Sequence, residues 1–251
     1  MKTKKLFSLG MTITTTLFAT LVLHSCKKNE TETRSYSFTI SRNSSALANS
    51  TVSIETQSQN YTSATDNDGK CQINIPNGII LPAYTIVTID HNSIKPYCLT
   101  VSGGQNAKSS FPINCTNVPS IVRLRAVGLH HLGDDSYTGS ENSQLQLPSE
   151  GHEKSFSYTL PATPGIMPRI QIYARGIEGN VNIFCNGIPT GILGNSASNG
   201  DLTPYDFQLS GNANTIFHSG NNIITIKTKL NASNSSDWDD IEFCGLLIYY
   251  P

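Results

Sequence analysis

Beyond residue 34, apolar residues recur at every second position in short runs. No stretch there carries the i, i+3, i+4 spacing of a useful amphipathic helix. Val52-Ser53-Ile54 and Cys71-Gln72-Ile73-Asn74-Ile75 alternate cleanly, as strands with one buried face do. Turn residues separate the runs: Asp66-Asn67-Asp68-Gly69 lies between two of them, and Asn186-Gly187 forms a two-residue hairpin connection. Many short strands with turns at short intervals predict an all-β chain built of sandwiches. Composition agrees. Charged residues make up 14% of the 251 residues, against about 25% in an ordinary chain. Ser, Thr, Asn and Gln fill the difference. That balance excludes a coiled coil, a basic nucleic-acid binder and a highly charged disordered chain.

The runs fall into two groups. The first module covers residues 35–117, with strands expected at 35–41, 51–56, 61–65, 70–76, 84–90, 94–101 and 109–114. It holds four bases and four acids, which argues against a charged ligand. Asn117-Val118-Pro119-Ser120 reads as a hinge. The second module covers 121–251, with strands expected at 121–128, 144–147, 156–160, 169–175, 181–185, 188–193, 205–209, 222–230 and 241–250. That strand number predicts a jelly roll long enough to fold alone.

Within the first module, the run from Val52 through Thr65-Asp66-Asn67-Asp68-Gly69-Lys70-Cys71-Gln72-Ile73 resembles the carboxypeptidase regulatory-like module. Cys71 stands where that family usually has an aromatic residue. The resemblance implies a prealbumin-like seven-strand sandwich acting as a spacer. In the second module, three segments together resemble galactose-binding-like jelly rolls: Val181 to Gly187, Gly220-Asn221-Asn222-Ile223-Ile224-Thr225-Ile226, and Asp240-Ile241-Glu242-Phe243. That resemblance implies carbohydrate binding.

The first 26 residues have a different logic. Lys2, Lys4 and Lys5 precede an uncharged stretch from Leu6 to Leu23, and then comes His24-Ser25-Cys26. A basic segment, an apolar segment and a small residue before the cut form a secretory signal. Leu23-His24-Ser25-Cys26 resembles a bacterial lipobox, which implies lipidation of Cys26. More than one acyl chain there would give stable membrane anchoring. Residues 27–34 are a polar tether, and Glu30 and Glu32 resemble the Bacteroidetes style of outer-membrane lipoprotein. The expected location is the cell envelope, with periplasmic and surface exposure both open.

Five further cysteines remain: Cys71, Cys98, Cys115, Cys185 and Cys244. An exported protein can form disulfides, but an odd number leaves at least one thiol unless chains pair. Cys185 and Cys244 sit in apolar strands and read as buried thiols rather than as a bridge. The other pairings stay open.

Acids cluster twice in the second module. Asp134 and Asp135 follow His130-His131-Leu132-Gly133, and Asp237, Asp239, Asp240 and Glu242 surround Trp238. If the terminal strands pair antiparallel, both sets meet at one end. Carboxylates so gathered repel unless a cation compensates, and hard oxygen ligands suit Ca²⁺. The galactose-binding-like resemblance also implies a structural Ca²⁺ near the terminal strands. The expected ligands are Asp134, Asp135, Asp239 and Asp240, the alternative being a solvated acidic rim. His130 and His131 are adjacent on a strand, so they point to opposite faces and cannot easily share a metal. Trp238, Tyr137 and Tyr205 are the expected ligand-binding aromatics. No H-E-x-x-H or G-x-S-x-G is present, and no enzyme is expected. The resulting expectation is a lipid-anchored envelope protein with a glycan ligand. The competing expectation is a structural or adhesive subunit with a surface-protein partner.

Overall fold

The computed structural model describes residues 33–104, 108–119, 121–134, 145–194, 200–230 and 238–250. Cys26, most of the tether, Asp135 and Tyr137 lie outside the described residues.

The chain is nearly all β. The first sandwich opens with β1 (Thr33–Arg42), which buries every second residue: Arg34, Tyr36, Phe38 and Ile40. β1 is central. It pairs antiparallel with β5 (Lys70–Pro76) and parallel with β8 (Lys108–Cys115), and short β2 (Ser45–Ala46) extends it. The facing sheet runs β4 (Asn60–Ala64), β3 (Thr51–Glu55), β6 (Tyr84–Asp90) and β7 (Tyr97–Ser102). Tyr36, Phe38, Val52, Ile54, Ile73, Ile75, Val87 and Ile89 interdigitate between the sheets. All seven strands read from the sequence are present, with β2 added.

The second sandwich is a jelly roll. One sheet orders β11 (Glu153–Leu160), β16 (Gly220–Lys227), β13 (Val181–Cys185) and β14 (Ile188–Leu193). The other runs from β17 (Ile241–Tyr250) through β12 (Arg169–Arg175) to β15 (Thr203–Gln208). On the far side of β17 lie β9 (Ile121–Ala126) and β10 (His130–Leu132), two halves of one interrupted strand. A four-residue helix, α1 (Ala213–Ile216), is capped by the Asn212 side chain, which accepts the Asn214 N–H. β10 and α1 are too short to leave a periodic signal. The strand expected at 144–147 does not form over the described residues 145–147, which are irregular. There the Gln146 carboxamide bonds both the N–H and the C=O of Ile86, taking the place of a ladder residue.

Every residue of β17 is buried. Its inner face, Ile241, Phe243, Leu246, Ile248 and Tyr250, belongs to the jelly-roll core. Its outer residues, Glu242, Cys244, Leu247 and Tyr249, are buried as well. The inward phase switches between Phe243 and Leu246 because the pairing with β12 bulges there. Gly245 takes the left-handed conformation, φ +65°, that such a bulge requires. The outer face of this sheet meets β6 and β7 of the first sandwich. Ile86, Cys98, Leu129 and Cys244 form a third apolar cluster between the two cores. From Thr33 onward the chain is one compact unit.

Candidate binding cleft at the joint between the sandwiches

The joint is apolar at its centre and charged beside it. Arg175 and Glu242 are both fully buried, and the Arg175 Nη2 to Glu242 Oε2 separation is 2.6 Å. Burying two charges is tolerable only where the remaining polar atoms find partners. Glu242 Oε1 accepts the backbone N–H groups of Gln146 and Leu147. Arg175 donates to the carbonyls of Tyr84 and Gly200. Gln146 also donates to the Glu55 carbonyl at 2.7 Å, and Gln171 to that of Pro96 at 2.9 Å. At the rim, Lys95 bonds Asp206 at 2.7 Å and lies 4.6 Å from the centre of the Tyr249 ring. Arg125 holds Asp90 and the carbonyls of His91 and Ile94.

His131 is buried between the joint and the jelly-roll end. Its Nδ1 donates to the Leu147 carbonyl at 2.7 Å and its Nε2 to Asp240 Oδ1 at 3.1 Å. Burial opposes the charged ring, but the Asp240 bond, the Leu147 carbonyl and the Glu242 charge outweigh it and raise the pKa. Gly133 makes room for this contact. A Cβ there would sit 1.8 Å from Asp240 Oδ1.

β10 pairs antiparallel with β17, so the two acidic segments do meet at one end of the sandwich. The described carboxylates accept from protein donors. Asp134 accepts the Trp238 N–H at 3.0 Å, and Asp239 accepts those of Glu178 and Gly179, each at 3.2 Å. Burial, together with the charges of Glu178 and Asp240, raises the Asp239 pKa despite those two N–H bonds. Among the described residues, no three His, Cys, Asp or Glu side chains are grouped to hold a metal ion. Ca²⁺ takes roughly six to eight oxygen ligands, and Asp135, one of the four expected here, lies outside the described residues. Nearby, the Trp238 ring packs on His152 with centroids 4.0 Å apart. His130 bonds Glu150 at 2.8 Å.

Tyr205 is not part of that end. It lies on β15, separated from β17 by β12, and its hydroxyl donates to the Gly194 carbonyl at 2.7 Å. Its ring packs on the jelly-roll core.

The aromatic cleft lies instead at the joint. A cavity of about 370 Å³ is lined by Tyr97, Cys98, Leu99 and Thr100 of the first sandwich and Tyr173, Asp201, Leu202 and Pro204 of the second. That is within the roughly 300–1,000 Å³ of small-molecule sites. The Tyr97 and Tyr173 rings meet edge to face at 6.1 Å. Thr100 donates to Asp201 at 3.0 Å at the open side. Burial raises the Tyr173 pKa, so its hydroxyl stays a neutral donor. Asp201 is the one carboxylate among the described lining residues. A second groove of about 400 Å³ lies between 56–58, 78–82 and 145–146, and its described lining residues carry no aromatic ring and no charge. Sequence reasoning reached neither Tyr97 nor Tyr173, because each lies in a different module and only docking joins them.

No protein-family model matches the chain, and no curated protein matches it. Among solved structures, a DUF3823 family protein from Parabacteroides merdae is similar at 9% identity and a TM-score of 0.26, over 88% of this chain and 100% of that one. The exo-β-1,3-galactanase of Phanerochaete chrysosporium, solved with galactose, is similar at 11% identity and a TM-score of 0.28, over 76% of this chain and 62% of that one. The VP2 subviral particle of infectious bursal disease virus is similar at 11% identity and a TM-score of 0.32, over 86% and 70%. At such scores these likenesses carry no argument about function. The β-sandwich architecture rests on the strand pairings themselves.

Proposed function

We propose that this chain is a non-catalytic, lipid-anchored binding protein of the bacterial cell envelope that holds a neutral glycan in the Tyr97–Tyr173 cleft. The cleft carries the reading. Two tyrosine rings set edge to face give apolar surface for the C–H face of a sugar, and Asp201 and Thr100 offer oxygens to its hydroxyls. That the described lining residues include one carboxylate, where most glycoside hydrolases use two, supports binding rather than hydrolysis. The lipobox-like Cys26 supports the anchor.

A glycan array on the full chain tests the ligand class. Tyr97→Ala and Asp201→Asn should each weaken the best ligand at least about tenfold, equivalent to about 1.4 kcal/mol. Trp238→Ala should leave it unchanged. The reverse pattern would move the site to the jelly-roll end. Cys26→Ala should abolish fatty-acid labelling and membrane retention, and unchanged labelling would remove the anchor from the proposal.

A structural or adhesive role is the second reading. It is favoured by Ile188 and Ile192 on edge strand β14, 41% and 53% exposed, with Ile223 nearby on the same sheet. An uncovered edge with apolar residues is a template for pairing. Self-association lost in Ile192→Lys, together with an empty glycan array, would select it.

A further inference from the structure

We propose that Cys98 and Cys244 are the two halves of a disulfide that forms across the joint and ties the first sandwich to the jelly roll. The placement of the thiols carries it. Cys98 on β7 and Cys244 on β17 belong to different sandwiches, yet they share one buried cluster with Ile86 and Leu129. Backbone Cα atoms of β7 and β17 come within 8 Å. A Cβ built on Gly245 would lie 2.9 Å from Cys98 Sγ, so that sulfur sits against the backbone just past Cys244. After burial itself, the neighbouring Cys98 thiol is what pushes the Cys244 thiol up most. Both are thiols in this structure.

Access is built in, because Cys98 lines the open cleft beside Tyr97 and Tyr173. An exchange-competent disulfide, glutathione disulfide or an oxidised dithiol protein, enters there as oxidant. The Cys98 thiolate attacks one of its sulfurs, forming a mixed disulfide and releasing the first thiol. Cys244, having lost its proton, then displaces the second thiol and closes the Cys98–Cys244 bond. Two protein thiols give up two electrons and two protons, and the oxidant's disulfide becomes two thiols. Burial pushes the Cys244 thiol well up, so closure is the slow step and speeds with rising pH.

The full chain is incubated with glutathione disulfide, alkylated, digested without reduction and mapped by mass spectrometry. The expected product is a peptide pair joining Cys98 to Cys244, two hydrogens lighter than the separate peptides. Cys71, Cys115 and Cys185 should still be alkylated after unfolding. The oxidised form should melt roughly 5–15 °C higher, reversibly on adding reductant. Cys244→Ser should stop at a glutathione adduct on Cys98. Cys98 and Cys244 both recovered as alkylated thiols while Cys71 carries glutathione would overturn the proposal, as would a bridge between any other pair.

Discussion

The two sheets of the jelly roll share one core but differ on their outer sides. The β11–β16–β13–β14 sheet turns its outer face to solvent, and β16 alternates accordingly, with Asn222, Ile224 and Ile226 buried. The opposite sheet carries the first sandwich on its outer face, and β17 is buried at all ten positions. A strand covered on one side reads as alternation, and a strand covered on both reads as a continuous apolar run. The run Ile241-Glu242-Phe243-Cys244-Gly245-Leu246-Leu247-Ile248-Tyr249-Tyr250 is therefore a docking signal as well as a core strand. β6 makes the matching statement from the other side. Val87 and Ile89 face its own core, while Ile86 faces the joint.

Ion pairs should separate the two sheets most. Glu242→Ala leaves the buried Arg175 charge without its carboxylate, and should cost about 3–5 kcal/mol in urea unfolding. On the open sheet, Glu153 pairs with Lys227 at 2.8 Å, half-exposed. Glu153→Ala should cost about 0.2–1 kcal/mol. Comparable losses would mean that water reaches the joint.

Apolar truncation comes next. Leu247→Ala, on the covered face, should cost about 2–5 kcal/mol. Ile223→Ala, on the open one, should stay within roughly 0.5 kcal/mol. A small effect at Leu247 would show that the sandwiches separate before the jelly roll unfolds. Consistent with that contrast, a fragment from Pro119 onward should melt below the full chain, since it exposes Glu242, Cys244, Leu247 and Tyr249.

Two glycines refine the comparison further. Gly187, in the hairpin of the open sheet, has φ +80° and nothing within 4 Å of an added Cβ. Gly187→Ala should cost only the left-handed penalty, about 1–2 kcal/mol. Gly245→Ala meets the same penalty plus contacts at 2.9 Å with Cys98 and 3.0 Å with Tyr173, and should cost more. Equal thermal shifts would argue against tight packing at the joint.

The smallest effect is graded with pH. The ordinary histidine value is 6.5, and the partners of His131 raise it. Its contribution is therefore fully present below about pH 6.5 and is lost as pH rises through the raised folded value. Urea midpoints across that range should fall in the native chain and flatten in His131→Gln. A slope that survives the substitution would place the titrating group elsewhere.

Much of this architecture was legible in local pattern. β3 and β5 of the first sandwich show themselves in the sequence because each has one wet face. The meeting of Asp134 with Trp238 to Asp240 followed from the pairing of the terminal strands. What the carboxylates do there was not legible, because the N–H groups of Glu178 and Gly179 come from a turn with no signature. Gln146 was misread for a related reason. Alternation across 144–147 resembles a strand, but its side chain and backbone are engaged by Glu55, Ile86 and Glu242 from far along the chain. The bulge at Gly245 was hidden because a run apolar on both faces does not reveal a change of phase.

The parallel pairing of β1 with β8 has a mechanical consequence. The chain enters the first sandwich at Thr33, and β1 passes at once between β5 and β8 in the middle of its sheet. Tension arriving from the amino-terminal side is directed along β1. It must slide that strand past both neighbours, breaking their hydrogen bonds together rather than unzipping them one at a time. Arg34 bonds the Gly103 carbonyl at 2.7 Å and also the Ile79 carbonyl, fixing the point where the load enters. A tether attached there pulls on the sandwich in shear, the direction in which a β-sheet yields last.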